Sequence, residues 1–240
     1  SDSAKESAAL GIAQMAVETT ISQPFHPVTF RNACVKAGVI ERLIKLLDPV
    51  SGSTPAAQNH ALNALEAIAT DDPTTDLDNG HAQRICSLGA CPHVVRLLSS
   101  QQEWMQVSAA RCVAILAETL RCQKELVRSR AIEPLILLGT YGNDVAKAYA
   151  VAALDLMRLD NGQAFKQIVD KGGLQMLQGV QQYGMGEMRE LVTDTIGTLQ
   201  QGKPNLEASV DVEGHVRQAH AQRLKHSKLW DSMGLRRAYA

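Results

Sequence analysis

Aromatic residues are scarce in this chain of 240 residues, which contains only three Phe, four Tyr and two Trp. Its apolar residues are instead small and aliphatic, with 31 Ala and 27 Leu. Ala and Leu favour helices, whereas strands are usually rich in β-branched and aromatic residues. The composition therefore argues against an all-β domain and predicts a helical protein.

The chain also lacks long apolar runs, a large net charge and a dense set of cysteines. No apolar run approaches the roughly 18 residues of a membrane-spanning helix, so no membrane contact is expected. A net charge of −1 lacks the basic signature of a nucleic-acid-binding chain. The five cysteines are too sparse for a disulfide scaffold and lie in apolar helical stretches. They predict buried thiols in a reducing intracellular compartment, with the cytoplasm favoured and an organelle left open.

An internal repeat is the strongest pattern that is present. One block of aliphatic residues follows a turn residue at Gly38, Gly89, Arg130 and Gly172, which lie 51, 41 and 42 positions apart. A second block begins at Leu65, Val113, Leu154 and Ile196, with steps of 48, 41 and 42 positions. Two unrelated patterns with the same step predict a stack of repeated units.

Helical spacing of apolar residues gives the expected content of each unit. We expect two longer helices preceded by a short one. The longer first step coincides with two polar segments, 48–55 and 71–80, which predict lengthened loops. Ahead of the first unit, Leu10, Ile12, Ala13 and Ala16 predict a helix from about Ser7 to Thr19.

These blocks resemble the armadillo repeat, and the resemblance covers about Phe30 to Gln201. It implies an all-α, right-handed α-solenoid of about four armadillo-like repeats at residues 1–202. Residues 1–29 would form a partial N-terminal repeat, and residues 203–240 a partly helical C-terminal tail. The resemblance implies a non-enzymatic scaffold, adaptor or complex subunit that binds other proteins, because such stacks leave long faces exposed. UCS-type myosin chaperones and Hsp70 nucleotide-exchange factors contain similar units. A co-chaperone is therefore one alternative, and a nucleic-acid-binding solenoid is another.

Armadillo repeats that bind basic peptides, as in nuclear-import adaptors, carry the inner-helix pattern Trp-Ala-Leu-x-Asn-Leu. Here the Trp positions hold Asn63, Arg111, Ala152 and Asp194, and the Asn positions hold Ala67, Ile115, Leu156 and Thr198. Because none matches, import-type recognition is not expected. The inner face is predicted to be either a partner-binding surface or a solvated face without a ligand. Its candidate partner-binding residues are Asn59, Asn63, Arg111, Asp155 and Arg158.

The C-terminal tail at 203–240 departs from the repeat and carries a local charge. It holds seven basic and four acidic side chains, so a basic tail follows an acidic remainder. The tail is expected either to cap the last repeat or to anchor a partner protein. Capping is favoured for its amphipathic helix, and a partner contact for the run 229–239. Without denser charge or interleaved aromatics, nucleic acid is not favoured. The candidate contact residues of the tail are Arg223, Leu229, Trp230, Met233, Leu235, Arg236 and Arg237.

Four potential zinc ligands, His81, Cys86, Cys91 and His93, lie within 13 residues. Their spacing does not fit the ligand pairs of structural zinc sites, and Cys86 and Cys91 would not closely share one face of a helix. Cys91 also holds the repeat position of Ile40, which indicates a core thiol. No motif pairs a nucleophile with a base. We therefore expect no metal, cofactor, small-molecule substrate or catalytic residue.

Overall fold

A computed structural model of the chain describes residues 2–17, 27–70, 80–159, 161–184 and 186–201. Every regular element within these ranges is a helix. None of the described helices combines the length and apolar character that crossing a membrane requires. The chain divides into two compact units, one ending at Leu116 and one beginning at Ala117. A single domain over residues 1–202 stays a prediction.

The described part of the first unit contains an N-terminal helix and two sets of three helices. The N-terminal helix is α1 (Asp2–Val17). The first set comprises α2 (Pro27–Lys36), α3 (Val39–Leu47) and α4 (Pro55–Ala69), with a 3₁₀ turn at Pro49–Ser51. The second set comprises α5 (His81–Ser87), α6 (Ala90–Leu97) and α7 (Glu103–Leu116).

Within its described residues, the second unit contains two further sets of the same kind. One comprises α8 (Leu120–Arg128), α9 (Ile132–Tyr141) and α10 (Asp144–Leu159). The other comprises α11 (Gly162–Asp170), α12 (Gly173–Tyr183) and α13 (Gly186–Gln200). In all four sets the third helix is the longest, so the expectation of two longer helices after a short one is wrong. The aliphatic block after each turn residue is short, because breakers such as Pro49 and Gly142 follow it.

The predicted turn residues share one backbone conformation. Gly38, Gly89 and Gly172 have φ values of 69°, 85° and 85°, and Arg130 has a φ of 61°. At the Arg130 turn, the N–H of Ala131 donates to the carbonyl of Leu126, and the N–H of Arg130 donates to that of Val127, both at 3.0 Å. This is the left-handed cap that ends many helices. The anchors read from the sequence therefore mark the end of the first helix of each set.

The predicted core register is confirmed. Leu65, Val113, Leu154 and Ile196 are all buried, and they hold equivalent places in α4, α7, α10 and α13. Buried alanines accompany Leu65, Val113 and Leu154 in α4, α7 and α10, so neighbouring helices can approach closely there. The close approach of neighbouring helices accounts both for the abundance of Ala and for the scarcity of aromatics.

Helix α1 differs from its prediction in its start and in its buried stripe. It begins at Asp2 rather than near Ser7, because its polar first turns are exposed and need no apolar partner. Ala9 and Ala13 are buried one turn apart, whereas Leu10 is exposed. The helix packs against α4, and Thr54 at the N-cap of α4 donates a hydrogen bond to Glu6.

Candidate partner-binding site

The third helices of the first unit bring four polar side chains together, and we name them the α4–α7 cluster: Asn59, Asn63, Glu66 and Arg111. The first three lie on one face of α4, about one turn apart. From α7, Nη2 of Arg111 donates to Oδ1 of Asn63 at 2.9 Å. Its Nε lies 2.6 Å from Oε2 of Glu66. The structure thus joins two predicted residues, Asn63 and Arg111, directly, and it adds Glu66, an acidic residue that sequence reasoning missed. The spacing of Glu66 three positions after Asn63 was the available signal.

The charges within the α4–α7 cluster cancel. Both Arg111 and Glu66 are mostly buried. Burial raises the pKa of the Glu66 carboxyl, and the neighbouring Arg111 guanidinium opposes that rise. The ionised pair carries no net charge, so the cluster offers hydrogen-bonding groups rather than a free cation.

One acceptor of the cluster is unsatisfied. Oδ1 of Asn59 is enclosed and accepts no hydrogen bond from the described part of the chain. Nδ1 of the adjacent His60 is also enclosed and has no hydrogen-bond partner among the described residues. Buried polar atoms nearly always have a partner, because an unmet one costs free energy. Asn59 therefore combines an enclosed position with an unused acceptor.

Asp155 and Arg158 are buried, so neither lies on an exposed inner face, whether partner-binding or solvated, as the sequence led us to expect. Nη2 and Nε of Arg158 lie 2.6 Å and 2.8 Å from Oδ1 of Asp155. Thr195 of α13 donates to the same oxygen at 2.6 Å. The two charges satisfy each other within the core of the second unit. Their position inside the apolar run 150–159, three residues apart, was a signal for a buried pair.

The tail candidates lie outside the described residues, and their role stays a prediction. They are Arg223, Leu229, Trp230, Met233, Leu235, Arg236 and Arg237.

The second unit exposes a set of apolar side chains that sequence reasoning missed. We name Leu137, Tyr141 and Tyr183 the tyrosine row; they are 52%, 82% and 79% exposed. Leu137 and Tyr141 lie one turn apart on α9, and α9 packs against α12, which ends at Tyr183. Tyr141 and Tyr183 are 42 positions apart, and each precedes a glycine in extended conformation. The recurring Tyr-Gly pair was the signal in the sequence. In the first unit, Trp104 at the start of α7 is about half exposed.

The potential zinc ligands separate into two kinds of contact. The two ring nitrogens of His81 lie 3.2 Å from the carbonyl oxygen of Ile68 and 2.9 Å from Oδ1 of Asn32. Cys86 and Cys91 have sulfur atoms 3.4 Å apart, so the expectation that they would not face each other closely is wrong. That expectation assumed one helix, whereas the turn at Gly89 reverses the chain between α5 and α6. Among the residues that the structure describes, no three His, Cys, Asp or Glu side chains are grouped to hold a metal ion. All five cysteines are buried, as predicted.

Comparisons with known proteins identify the fold. No protein-family model matches the chain, and no curated protein matches its sequence. An engineered protein of known structure is 26% identical with a TM-score of 0.70, covering 82% of this chain but only 44% of its own. Computationally designed armadillo repeat proteins for modular peptide recognition are 19% identical with a TM-score of 0.70, covering 92% of both chains. The armadillo-repeats-only protein of Plasmodium falciparum is 16% identical with a TM-score of 0.66, covering 81% of this chain and 79% of its own. With the helix triplets and their shared left-handed turn, these likenesses show that the chain has an armadillo-type repeat fold, as predicted from its sequence.

Proposed function

We propose that the chain is a non-enzymatic scaffold or adaptor that binds another protein through its repeats. Repeated helix sets bury their core against one another and leave long faces exposed for a partner. The likeness to proteins designed for modular peptide recognition supports this use of the fold. The observation that carries the proposal is the tyrosine row.

The tyrosine row has the composition of a binding anchor. Tyrosine offers a large amphipathic surface and loses little side-chain entropy on binding, so it is enriched at interfaces. Two of the four tyrosines in the chain occupy the same exposed place in neighbouring sets. A partner that runs along successive sets would meet the same side chain twice, with Leu137 adding aliphatic surface beside the first.

The α4–α7 cluster supplies a second contact of different chemistry. A rotation of the half-buried Asn59 side chain would bring its unused Oδ1 within reach of an N–H group of a partner. Arg111 contacts Asn63 and is neutralised by Glu66, so the cluster favours neutral polar groups over an acidic peptide. Asn59, Asn63 and Arg111 therefore remain candidate partner-binding residues together with the tail candidates, whereas Asp155 and Arg158 do not.

Affinity capture from a cell extract tests the proposal. The baits are the full chain, a Tyr141→Ser/Tyr183→Ser double variant and a variant lacking residues 203–240. We expect the double variant to recover its main bound proteins at least about tenfold less than the full chain, because anchor tyrosines dominate interface energies. Val50→Ser removes an equally exposed apolar side chain from the first unit and should change nothing.

The other outcomes separate the competing functions. Equal recovery by the full chain and the double variant would contradict a role for the tyrosine row. Loss only on truncation would place recognition on the tail. Recovery that nuclease treatment abolishes would favour nucleic-acid binding. Capture dominated by a myosin head or an ATPase-domain chaperone would favour a co-chaperone.

A further inference from the structure

The turn between α5 and α6 holds two cysteines against each other. Cys86 lies in the last turn of α5, and Cys91 is the second residue of α6. Gly89, with a φ of 85°, reverses the chain between them, and its N–H donates to the carbonyl of Cys86 at 3.0 Å. The thiol of Cys91 donates to the sulfur of Cys86 at 3.4 Å.

Both cysteines are buried and retain only a small exposed fraction. Cys86 is 5% exposed and Cys91 is 1% exposed. The sulfur atoms need to approach by only about 1.4 Å to reach the length of a disulfide bond. Side-chain rotation and a small adjustment of the turn can supply this movement, because the four residues between the cysteines form the turn itself.

We propose that Cys86 and Cys91 form a redox modification site, which a hydroperoxide oxidises to an intramolecular disulfide and a thiol reductant returns to two thiols. The inference goes beyond the proposed scaffold function and does not depend on any partner. The observation behind it is the juxtaposition of two thiols across a tight turn. Most buried cysteines, by contrast, are inert single thiols.

The reaction balances in two steps. The sulfur of Cys86, which is the slightly more exposed of the two residues, attacks one peroxide oxygen as its thiolate. The O–O bond breaks, and Cys86 becomes a sulfenic acid while an alcohol or water leaves. The sulfur of Cys91 then attacks the sulfenic sulfur, the S–S bond forms, and the S–O bond breaks with release of water. The two thiols lose two electrons and two protons in total, and the peroxide takes them up.

Tryptic digestion of the full chain offers a direct test, because cleavage after Arg84 and Arg96 places both cysteines in the single peptide 85–96. Cys34, Cys112 and Cys122 fall in the separate peptides 32–36, 112–121 and 122–124. The folded protein is treated with hydrogen peroxide, unfolded, alkylated and digested. We expect peptide 85–96 to lose both alkyl groups and to weigh about 2 Da less than the unmodified peptide. The other three peptides should stay alkylated, and dithiothreitol before alkylation should restore all five sites.

Matched variants fix the assignment. Cys112→Ala removes a comparably buried thiol and should leave the disulfide unchanged. Cys86→Ala and Cys91→Ala should each abolish it, and in Cys91→Ala the remaining Cys86 should accumulate as sulfenic acid, which dimedone traps. Formation of the disulfide only in denaturant, or oxidation of peptide 85–96 solely to sulfinic acid, would overturn the proposal. Cross-links between chains in place of the internal bond would overturn it as well.

Discussion

Arg130 adopts a backbone conformation that the equivalent turns assign to glycine. Its φ of 61° is the one positive value at a non-glycine residue in the described part of the chain. The cap at the end of α8 imposes this conformation, because two hydrogen bonds across the turn require a left-handed residue there. A side chain in that region is strained by roughly 1–3 kcal/mol, which the surrounding helices offset.

Replacing this residue should relieve the strain. We expect Arg130→Gly to raise the free energy of unfolding by about 1 kcal/mol, as released strain exceeds the added entropy of the unfolded chain. Gly89→Ala should lower the free energy of unfolding by about 1 kcal/mol. A Cβ atom at position 89 would meet no neighbouring atom, so only the φ of 85° opposes the alanine side chain. Urea unfolding followed by circular dichroism measures both. Arg130→Lys keeps the strain and the charge, so a gain in that variant would contradict this explanation.

Glu66 should give the protein a distinctive pH dependence. Its pKa is raised in the folded state, so the native protein holds this proton to a higher pH than the unfolded chain does. The resulting stabilisation is fully present below the unfolded pKa and is lost as pH rises through the folded pKa. Relative to Glu66→Gln, the wild-type free energy of unfolding should therefore fall as pH rises from the unfolded pKa of a glutamate, about 4.3, through the raised folded pKa.

Glu133 provides the matched control for this titration. Its hydrogen bond and charge interaction with Lys171 lower the pKa of its carboxyl. Stability from this group is present above its unfolded pKa and is lost as pH falls. Relative to Glu133→Gln, the wild-type free energy of unfolding should therefore rise with pH, opposite to the change expected for Glu66. Slopes of the same sign in the two comparisons would refute the environment assigned to Glu66.

The third helices are the elements that define each set. They carry the buried positions Leu65, Val113, Leu154 and Ile196, and they also carry the α4–α7 cluster and the buried Asp155–Arg158 pair. The third helix thus supplies core positions in every set, whereas its polar positions differ from set to set. Errors in the register of these helices would move charged residues into the core.

Core substitutions in the third helices test this register. Leu65→Asp, Val113→Asp and Leu154→Asp each bury an unpaired carboxylate, and each should lower the free energy of unfolding by about 4 kcal/mol or more. Leu137→Asp on the exposed side of α9 should change it by less than about 1 kcal/mol. Chemical denaturation measures all four variants. Unchanged stability in the three buried variants would show that the register is wrong.

Periodicity in the sequence predicted the helical class, the turn anchors and the buried positions, because these depend on spacing along one helix. It did not predict which polar residues are buried, because burial depends on the helices that pack alongside. Asp155 and Arg158 are enclosed by such neighbours, whereas Tyr141 is left exposed. The closeness of Cys86 and Cys91 depends on the turn at Gly89, whose three-dimensional path spacing alone does not give.

Across the whole chain, one ion-pair arrangement recurs in both units. Glu41 on the second helix of one set lies 3.0 Å from Arg84 on the first helix of the next. Glu133 on α9 lies 2.6 Å from Lys171, which follows α11 in the next set. Both pairs are substantially exposed, so each contributes little stability. Within each unit, this polar contact between the two sets therefore follows the repeat.

Each unit contains its own core, so the first unit should fold as a fragment. A chain ending at Leu116 retains α1 to α7 and should unfold cooperatively on heating, as monitored by circular dichroism. A fragment ending at Gly89 lacks α7, which packs on α4, and should melt without a cooperative transition. A non-cooperative melt of the longer fragment, or identical melts of the two, would contradict an independent first unit.

The scarcity of aromatics has a practical consequence for spectroscopy. Trp104, one of only two tryptophans in the chain, is already about half in contact with solvent at the start of α7. In a Trp230→Phe variant, intrinsic tryptophan emission would report only on that edge of the first unit. Its wavelength would shift little on unfolding, because the indole is partly hydrated beforehand. The helices from α8 onward contribute no indole signal, so fluorescence alone would overlook the loss of the second unit.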